Sequence, residues 1–207
     1  MSEYKVPTAT SADVIASWTP ELVQARKVAR GIPLAHIDLT LANYEAATEQ
    51  QMLAWAEVQA IEGEGLYLYG GVGTGKTFLS IAWVNSQIMT TMAGAHLMEW
   101  KAIVDDQRDK MISRDDPNVG KMLTRAMLCK RLAIDDMGAG KTDSWQVDIM
   151  ERLLNARWTA QLQTIITSNL TPKELDAKFG DRITTRIRGL CRSVELQGPD
   201  QRGLATD

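Results

Sequence analysis

Short apolar runs alternate along the chain with longer stretches in which apolar residues recur at helical spacing. The runs are 66–69 (LYLY), 95–100 (AHLMEW), 131–137 (RLAIDDM), 163–169 (QTIITSN) and 191–198 (CRSVELQG). In the last, Val194 and Leu196 alternate with Ser193, Glu195 and Gln197. Runs of this length, bounded by polar residues, predict strands. Helical spacing covers 76–92, 101–114, 118–129, 144–161 and 172–189, the last interrupted near Phe179-Gly180. Thr171-Pro172 reads as a cap followed by a first-turn proline, and Asp143 or Ser144 is placed to cap the helix over 145–161. Strand followed by helix, repeated, predicts an α/β fold with a parallel five-stranded sheet flanked by crossover helices. Upstream, 20–31 reads as a short basic helix stopped by Gly31, and 43–62 as a helix ending in the EGEG turn. The opening MSEYKVPTATSADV is polar and Pro/Thr-rich and is predicted to be mobile.

The tripeptide Gly-Lys-Thr occurs twice, at 75–77 and at 140–142. The first closes Gly70-Gly71-Val72-Gly73-Thr74-Gly75-Lys76-Thr77, which fits G-x-x-x-x-G-K-[ST] between a predicted strand and a predicted helix. Glycines there let backbone N–H groups curl around phosphate oxygens, and the helix N-terminus adds favourable partial charge. Gly71 to Phe78 therefore form the candidate nucleotide loop, with Lys76 reaching the β and γ phosphates and Thr77 offering its hydroxyl to Mg²⁺. The second copy lacks the leading glycine: Asp135 stands five residues before Gly140. Its upstream segment, RLAIDDM, is a strand ending in two carboxylates. Alone, such a pair is a common strand end. Behind a phosphate loop it supplies the rest of an ATP site, with Asp135 holding Mg²⁺ and Asp136 orienting or deprotonating the attacking water. The expected ligands are ATP and Mg²⁺.

Composition narrows the class. The chain has 207 residues, 44% hydrophobic and 24% charged, with a net charge of −3. It fits one soluble domain, and nucleic-acid contact requires a local patch. Every charged residue from Asp38 to Glu64 is acidic, whereas Lys101 to Arg131 holds eight basic and five acidic residues. That second stretch reads either as a solvated helix surface or as a DNA-facing strip. Cys129 and Cys191 lack metal-ligand spacing and suit a reducing, cytoplasmic setting. His36 and His96 have no partner pattern. No signal peptide or membrane-length apolar run is read, so no membrane partner is expected.

Taken in order, RGIPLAHIDLTLANYE, YGGVGTGKTFL, LAIDDMG, ITSNL, FGDRITTRIRG and VELQGPDQR make the chain resemble the DnaC-type helicase loaders and the related IstB-type transposition ATPases. These form a branch of the AAA+ P-loop ATPases. The resemblance runs from Gly31 to about Arg202. It implies an AAA+ core over 36–207 without a C-terminal helical lid, preceded by a short partner-binding extension over 1–35. It implies Asn169 as the residue that senses the γ-phosphate, and Arg186 as an arginine finger given to a neighbouring subunit, with Arg182 as runner-up. It matches Arg202 to a second sensor, and places Asn43 and Tyr44 beside the adenine. In such loaders the loop after the Asp-Asp pair faces single-stranded DNA. This makes Lys141 and Trp145 candidate contacts, with Lys101, Arg108 and Lys110 as further ones. The implied function is ATP-dependent loading of a hexameric, DnaB-like replicative helicase onto single-stranded DNA by a homo-oligomer. A transposition helper that binds duplex DNA and recruits a transposase shares every nucleotide motif. A non-hydrolysing ATP-binding adaptor is the alternative from another class.

Overall fold

In a computed structural model of the chain, the described residues are 11–91, 94–113, 116–117 and 119–201. Five strands, β1 (Gly65–Gly70), β2 (His96–Glu99), β3 (Arg131–Asp135), β4 (Gln163–Ser168) and β5 (Cys191–Leu196), form one sheet in the order β2-β3-β4-β1-β5. All four pairings are parallel, with Leu66 level with Ile165 and Ala133 also level with Ile165. Both faces are covered, as a parallel sheet requires. Leu66, Leu68, Leu97, Ala133, Ile165 and Leu196 point into one apolar layer, and Tyr67, Met98, Leu132, Ile134 and Ile166 into the other. The first layer is completed by α3 (Glu49–Gln59) and α4 (Lys76–Thr90), through Ala54, Val58, Leu79 and Trp83. The second is completed by α5 (Trp100–Ile112), α6 (Lys121–Leu128), α7 (Ser144–Thr159), α8 (Pro172–Phe179) and α9 (Asp181–Leu190).

The predicted break near Phe179-Gly180 is present: Gly180 takes φ 81 and ψ 168 between α8 and α9. Thr171 caps α8 reciprocally with Glu174, and Asp143 caps α7 by accepting from the Gln146 N–H at 2.8 Å. Two expectations need correction. The 43–62 stretch is not one helix. Residues Leu41–Asn43 form a 3-10 turn, Tyr44 is extended, and α3 starts only after Thr48, whose hydroxyl accepts from the Gln51 N–H. An Ser/Thr side chain that accepts from the backbone three residues on ends the preceding chain direction, and hydrophobic periodicity does not register it. The opening segment also differs. Ser11–Ala16 forms α1 before the basic helix α2 (Pro20–Ala29), while residues 1–10 lie outside the described residues. Ile32, just beyond α2, is buried in the first layer, and the Arg30 carbonyl accepts from the Leu97 N–H at 2.8 Å.

Arg157, on α7, is fully buried. Its Nε donates to Thr164 Oγ1 at 2.8 Å, Nη1 to the carbonyls of Ala126 at 2.6 Å and Cys129 at 2.9 Å, and Nη2 to the Gln163 carbonyl at 2.8 Å. Two of these oxygens belong to the carboxyl end of α6, where the helix dipole favours a cation. Burial holds the guanidinium pKa below its ordinary value. The residue ties α6 to the start of β4, at the end of the sheet remote from the carboxyl ends of the strands. Arg157→Met leaves several buried carbonyls without donors, and the expected loss is about 3 kcal/mol. Urea titration should show a lower midpoint with an unchanged slope, and ATP binding should be unaffected. A variant as stable as the parent would show that Arg157 is only filling space.

Candidate nucleotide-binding site

The loop between β1 and α4 is positioned from three sides. Gly75 takes φ 99 at the start of α4, and a Cβ there would fall 2.8 Å from the Tyr44 ring. Gly73 takes φ 75, and a Cβ there would collide with the Asp200 carboxylate. These glycines are required both for their left-handed backbone and for close approach. From α3, buried Gln51 donates through Nε2 to the Thr74 carbonyl at 3.1 Å, while its Oε1 accepts from the Ala47 N–H at 2.8 Å. From the segment after β5, the Gln201 N–H donates to the Gly73 carbonyl at 3.0 Å. Tyr44 packs against Phe78 with ring centroids 5.4 Å apart, and its hydroxyl donates to the Thr74 carbonyl at 3.4 Å. Lys76 lies under the loop, donating to the carbonyls of Gly70 at 2.9 Å and Gly71 at 2.5 Å.

Across the sheet, β3 and β4 bring the carboxylates to the same end. The Thr77 hydroxyl, on the first turn of α4, donates to both oxygens of Asp135 at 3.1 Å. Thr167 Oγ1 donates to Asp135 Oδ1 at 2.6 Å and accepts from the Asp136 N–H at 2.9 Å. Asp135 is buried, and burial pushes its carboxyl above the usual range, against the pull of the Thr167 and Thr77 hydroxyls. Asp136 takes φ 54, a left-handed conformation uncommon for a residue with a side chain. The Thr167 hydroxyl and Asn169, whose Nδ2 donates to Asp136 Oδ1 at 3.3 Å, hold it there.

Thr77 and Asp135 are therefore an oxygen pair already within bonding range of one point. Among the described residues no three of His, Cys, Asp and Glu gather as a metal cluster. Mg²⁺ in a phosphate site needs none, because it takes one or two protein oxygens together with phosphate and water. The donor set fits that ion.

Val72 to Phe78, Asp135, Asp136, Thr167 and Asn169 line one cleft of about 1240 Å³, which also reaches His36, Leu39, Lys101, Arg108, Gly140, Lys141, Gln146 and Gln201. A family model described as IstB-like ATP binding protein matches residues 22–201. The chain belongs to the IstB-like ATP binding proteins. It is 29% identical over 154 residues to the replicative helicase loader DnaI of Bacillus subtilis (strain 168), covering 68% of this chain and 48% of that one. The chain thus spans about half the length of the curated relatives it matches. In structure it is similar to the DnaC helicase loader, with a TM-score of 0.71, 19% identity, and coverage of 80% of this chain and 100% of that one. It is also similar to a crystal structure of DnaI, with a TM-score of 0.68, 23% identity, and coverage of 81% and 95%. The fold of the core is shared with both.

Within this IstB-like chain, the remaining predicted residues separate into groups. Neither Asn43 nor Tyr44 lines the cleft: the Asn43 side chain closes a capping box with Thr40, and the Tyr44 ring packs against Phe78. Lys101 and Arg108 line the cleft and engage acids: Lys101 with Asp105 at 2.6 Å, Arg108 with Asp105 at 3.8 Å and Asp143 at 3.6 Å. Trp145 is half-buried, with the Arg108 guanidinium 5.6 Å from its ring centre. Lys110 stands apart, in a second hollow with Lys121 and Arg125. Arg182 and Arg186 lie on α9 and do not line the cleft. Arg202 lies outside the described residues.

The second Gly-Lys-Thr loop is clamped by Lys178, which donates to the carbonyls of Gly138 and Gly140, each at 2.7 Å. Sequence reasoning missed Lys178, Gln51, Gln201 and Thr167. Only Thr167 had a legible signal, a hydroxyl directly after the apolar pair Ile165-Ile166 and two residues before Asn169.

Proposed function

We propose that this protein is an ATP-hydrolysing loader of a replicative helicase, acting as a homo-oligomer on single-stranded DNA. The observation that carries the ATPase part is the convergence of Lys76, Thr77, Asp135, Asp136, Thr167 and Asn169 at one end of the sheet. Lys76 exchanges the carbonyls of its own loop for the β and γ phosphates. Thr77 and Asp135 would hold Mg²⁺, which neutralises charge on the phosphates when bound. Asp136 accepts a proton from the attacking water, and Asn169, hydrogen-bonded to Asp136, orients that water. Arg186 completes the site of the adjacent copy and stabilises charge developing on its γ-phosphoryl group.

The similarity to a helicase loader supports the partner class. The extension over 1–35 is the proposed docking element. Exposed Leu22 and Val28 on α2, with Arg26 stacked 4.0 Å from the centre of the Trp18 ring, support that role. Lys141 and Trp145, then Lys101, Arg108 and Lys110, are the proposed contacts to single-stranded DNA. Lys101 and Arg108 would exchange their acidic partners for phosphate.

The test is a pull-down from host lysate with a non-hydrolysable ATP analogue, comparing the parent chain with Lys76→Ala by mass spectrometry. The expected result is a hexameric helicase retained by the parent and lost with the variant. A transposase in its place would move the reading to the duplex-DNA helper. Equal capture by both chains would remove the ATP gate.

A further inference from the structure

Trp158, on the last turn of α7, lies against two positions of α9 that are three residues apart. The Arg186 guanidinium carbon is 4.3 Å from the centre of the Trp158 ring. A Cβ at Gly189 would fall 2.6 Å from Trp158 Nε1, so the missing side chain at 189 is what admits the indole. Trp158 is 36% exposed, on a helix whose inner face is packed by Ile149, Met150, Leu153 and Leu154. Burial alone does not account for its placement.

The comparison with Arg182, one turn earlier on α9, is informative. Arg182 Nη1 is ion-paired with Glu151 at 3.2 Å. That carboxylate occupies part of the guanidinium fork. Arg186 has no ion pair or hydrogen bond to a side chain among the described residues; its partner is an aromatic face. Stacking engages the flat face of a guanidinium and leaves its five N–H donors uncommitted. An arginine that must meet phosphate oxygens arriving on another molecule needs this combination: an orientation fixed in advance, and donors not already spent on a local acid. A solvated arginine without a platform samples many rotamers, and catalytic contributions fall steeply with misplacement.

We infer that Trp158 is a positioning residue, whose indole, seated over Gly189, holds Arg186 by its face for the ATP of an adjacent copy of this chain. The inference rests on the reading of Arg186 as an arginine supplied in trans.

The test uses full-length chains and steady-state ATP hydrolysis. Trp158→Leu should lower kcat about tenfold to a hundredfold while the Kd for ATP stays unchanged. Trp158→Phe, which keeps an aromatic face, should retain most of the activity. Mixing Trp158→Leu with Lys76→Ala should restore turnover, because the second chain cannot hold ATP but supplies a correctly held Arg186. Lys76→Ala combined with Trp158→Leu in one chain should restore nothing.

Four results would overturn the inference, and each is distinct. Parental kcat in Trp158→Leu, with a collapse in Arg186→Ala, removes the positioning role and leaves the trans arginine standing. Parental kcat in Arg186→Ala removes both. Loss of ATP binding in Trp158→Leu, or failure of rescue by Lys76→Ala, reduces Trp158 to a folding or assembly role.

Discussion

Asp135→Asn should lower Mg²⁺-dependent ATP hydrolysis by about three orders of magnitude and, in the same protein without metal, raise the melting temperature. The two effects share one cause. The Asp135 carboxylate is buried between the Thr77 and Thr167 hydroxyls, and burial pushes its carboxyl above the ordinary aspartate value. A raised carboxyl pKa means that the folded chain binds a proton more readily than the unfolded chain between the ordinary value and the raised one. Stability therefore falls as pH rises through that window, and at neutral pH the ionised group is a net cost. Asparagine keeps the shape and an oxygen for the Thr167 hydroxyl but carries no charge, so it escapes that cost. It also loses the negative oxygen that Mg²⁺ requires.

The expected gain is a higher melting temperature at neutral pH in a chelating buffer. It should shrink as pH falls below the ordinary aspartate range, where both states of the parent are protonated. Thermal melts of parent and variant at several pH values, beside ATPase assays with Mg²⁺, check both halves. A variant that melts lower at neutral pH would mean that the two hydroxyls outweigh burial. Retained hydrolysis would remove Asp135 from the metal site.

Arg186→Ala should lower kcat by about 10³-fold at saturating ATP with no change in ATP affinity. Arg186 lies on α9 and does not line the cleft of its own chain, so its removal leaves that cleft intact. Parental turnover should rise with protein concentration as copies assemble, and the variant should show no such rise. Arg182→Ala breaks a surface ion pair with Glu151, in which the arginine side chain is 74% exposed, and should change turnover only about two- to threefold. Arg186→Lys should not recover the loss, since an ammonium cannot reproduce the planar fork. If Arg182→Ala proves the damaging change, the two roles are exchanged. Full turnover at dilutions where the chain is monomeric would rule out supply in trans.

The inner strands β1 and β3 are apolar runs because a parallel sheet covered on both faces must be apolar on both, whereas the edge strand β5 alternates, and each crossover helix shows its buried stripe in its spacing. The phosphate loop and the Asp-Asp strand end were equally readable, because both are short and continuous, with residue types fixed by backbone conformation or by charge. The helix misread over 43–62 failed for a local reason: a cap at Thr48 and an extended Tyr44 leave no mark on apolar periodicity.

By itself, then, the sequence determined the layered fold, the strand that carries each motif and the elements of the ATP site that are contiguous in the chain. Only the tertiary structure decided which distant polar groups meet. Thr167 bridges Asp135 and the backbone of Asp136 because β4 lies beside β3. Gln51 and Gln201 brace a loop far from both in sequence, Lys178 clamps the second Gly-Lys-Thr loop, and Trp158 seats Arg186 where Gly189 leaves room. A hydrogen bond or a stacked ring depends on distances of a few ångströms between elements. Those distances are set by packing of the whole core, which no local pattern encodes.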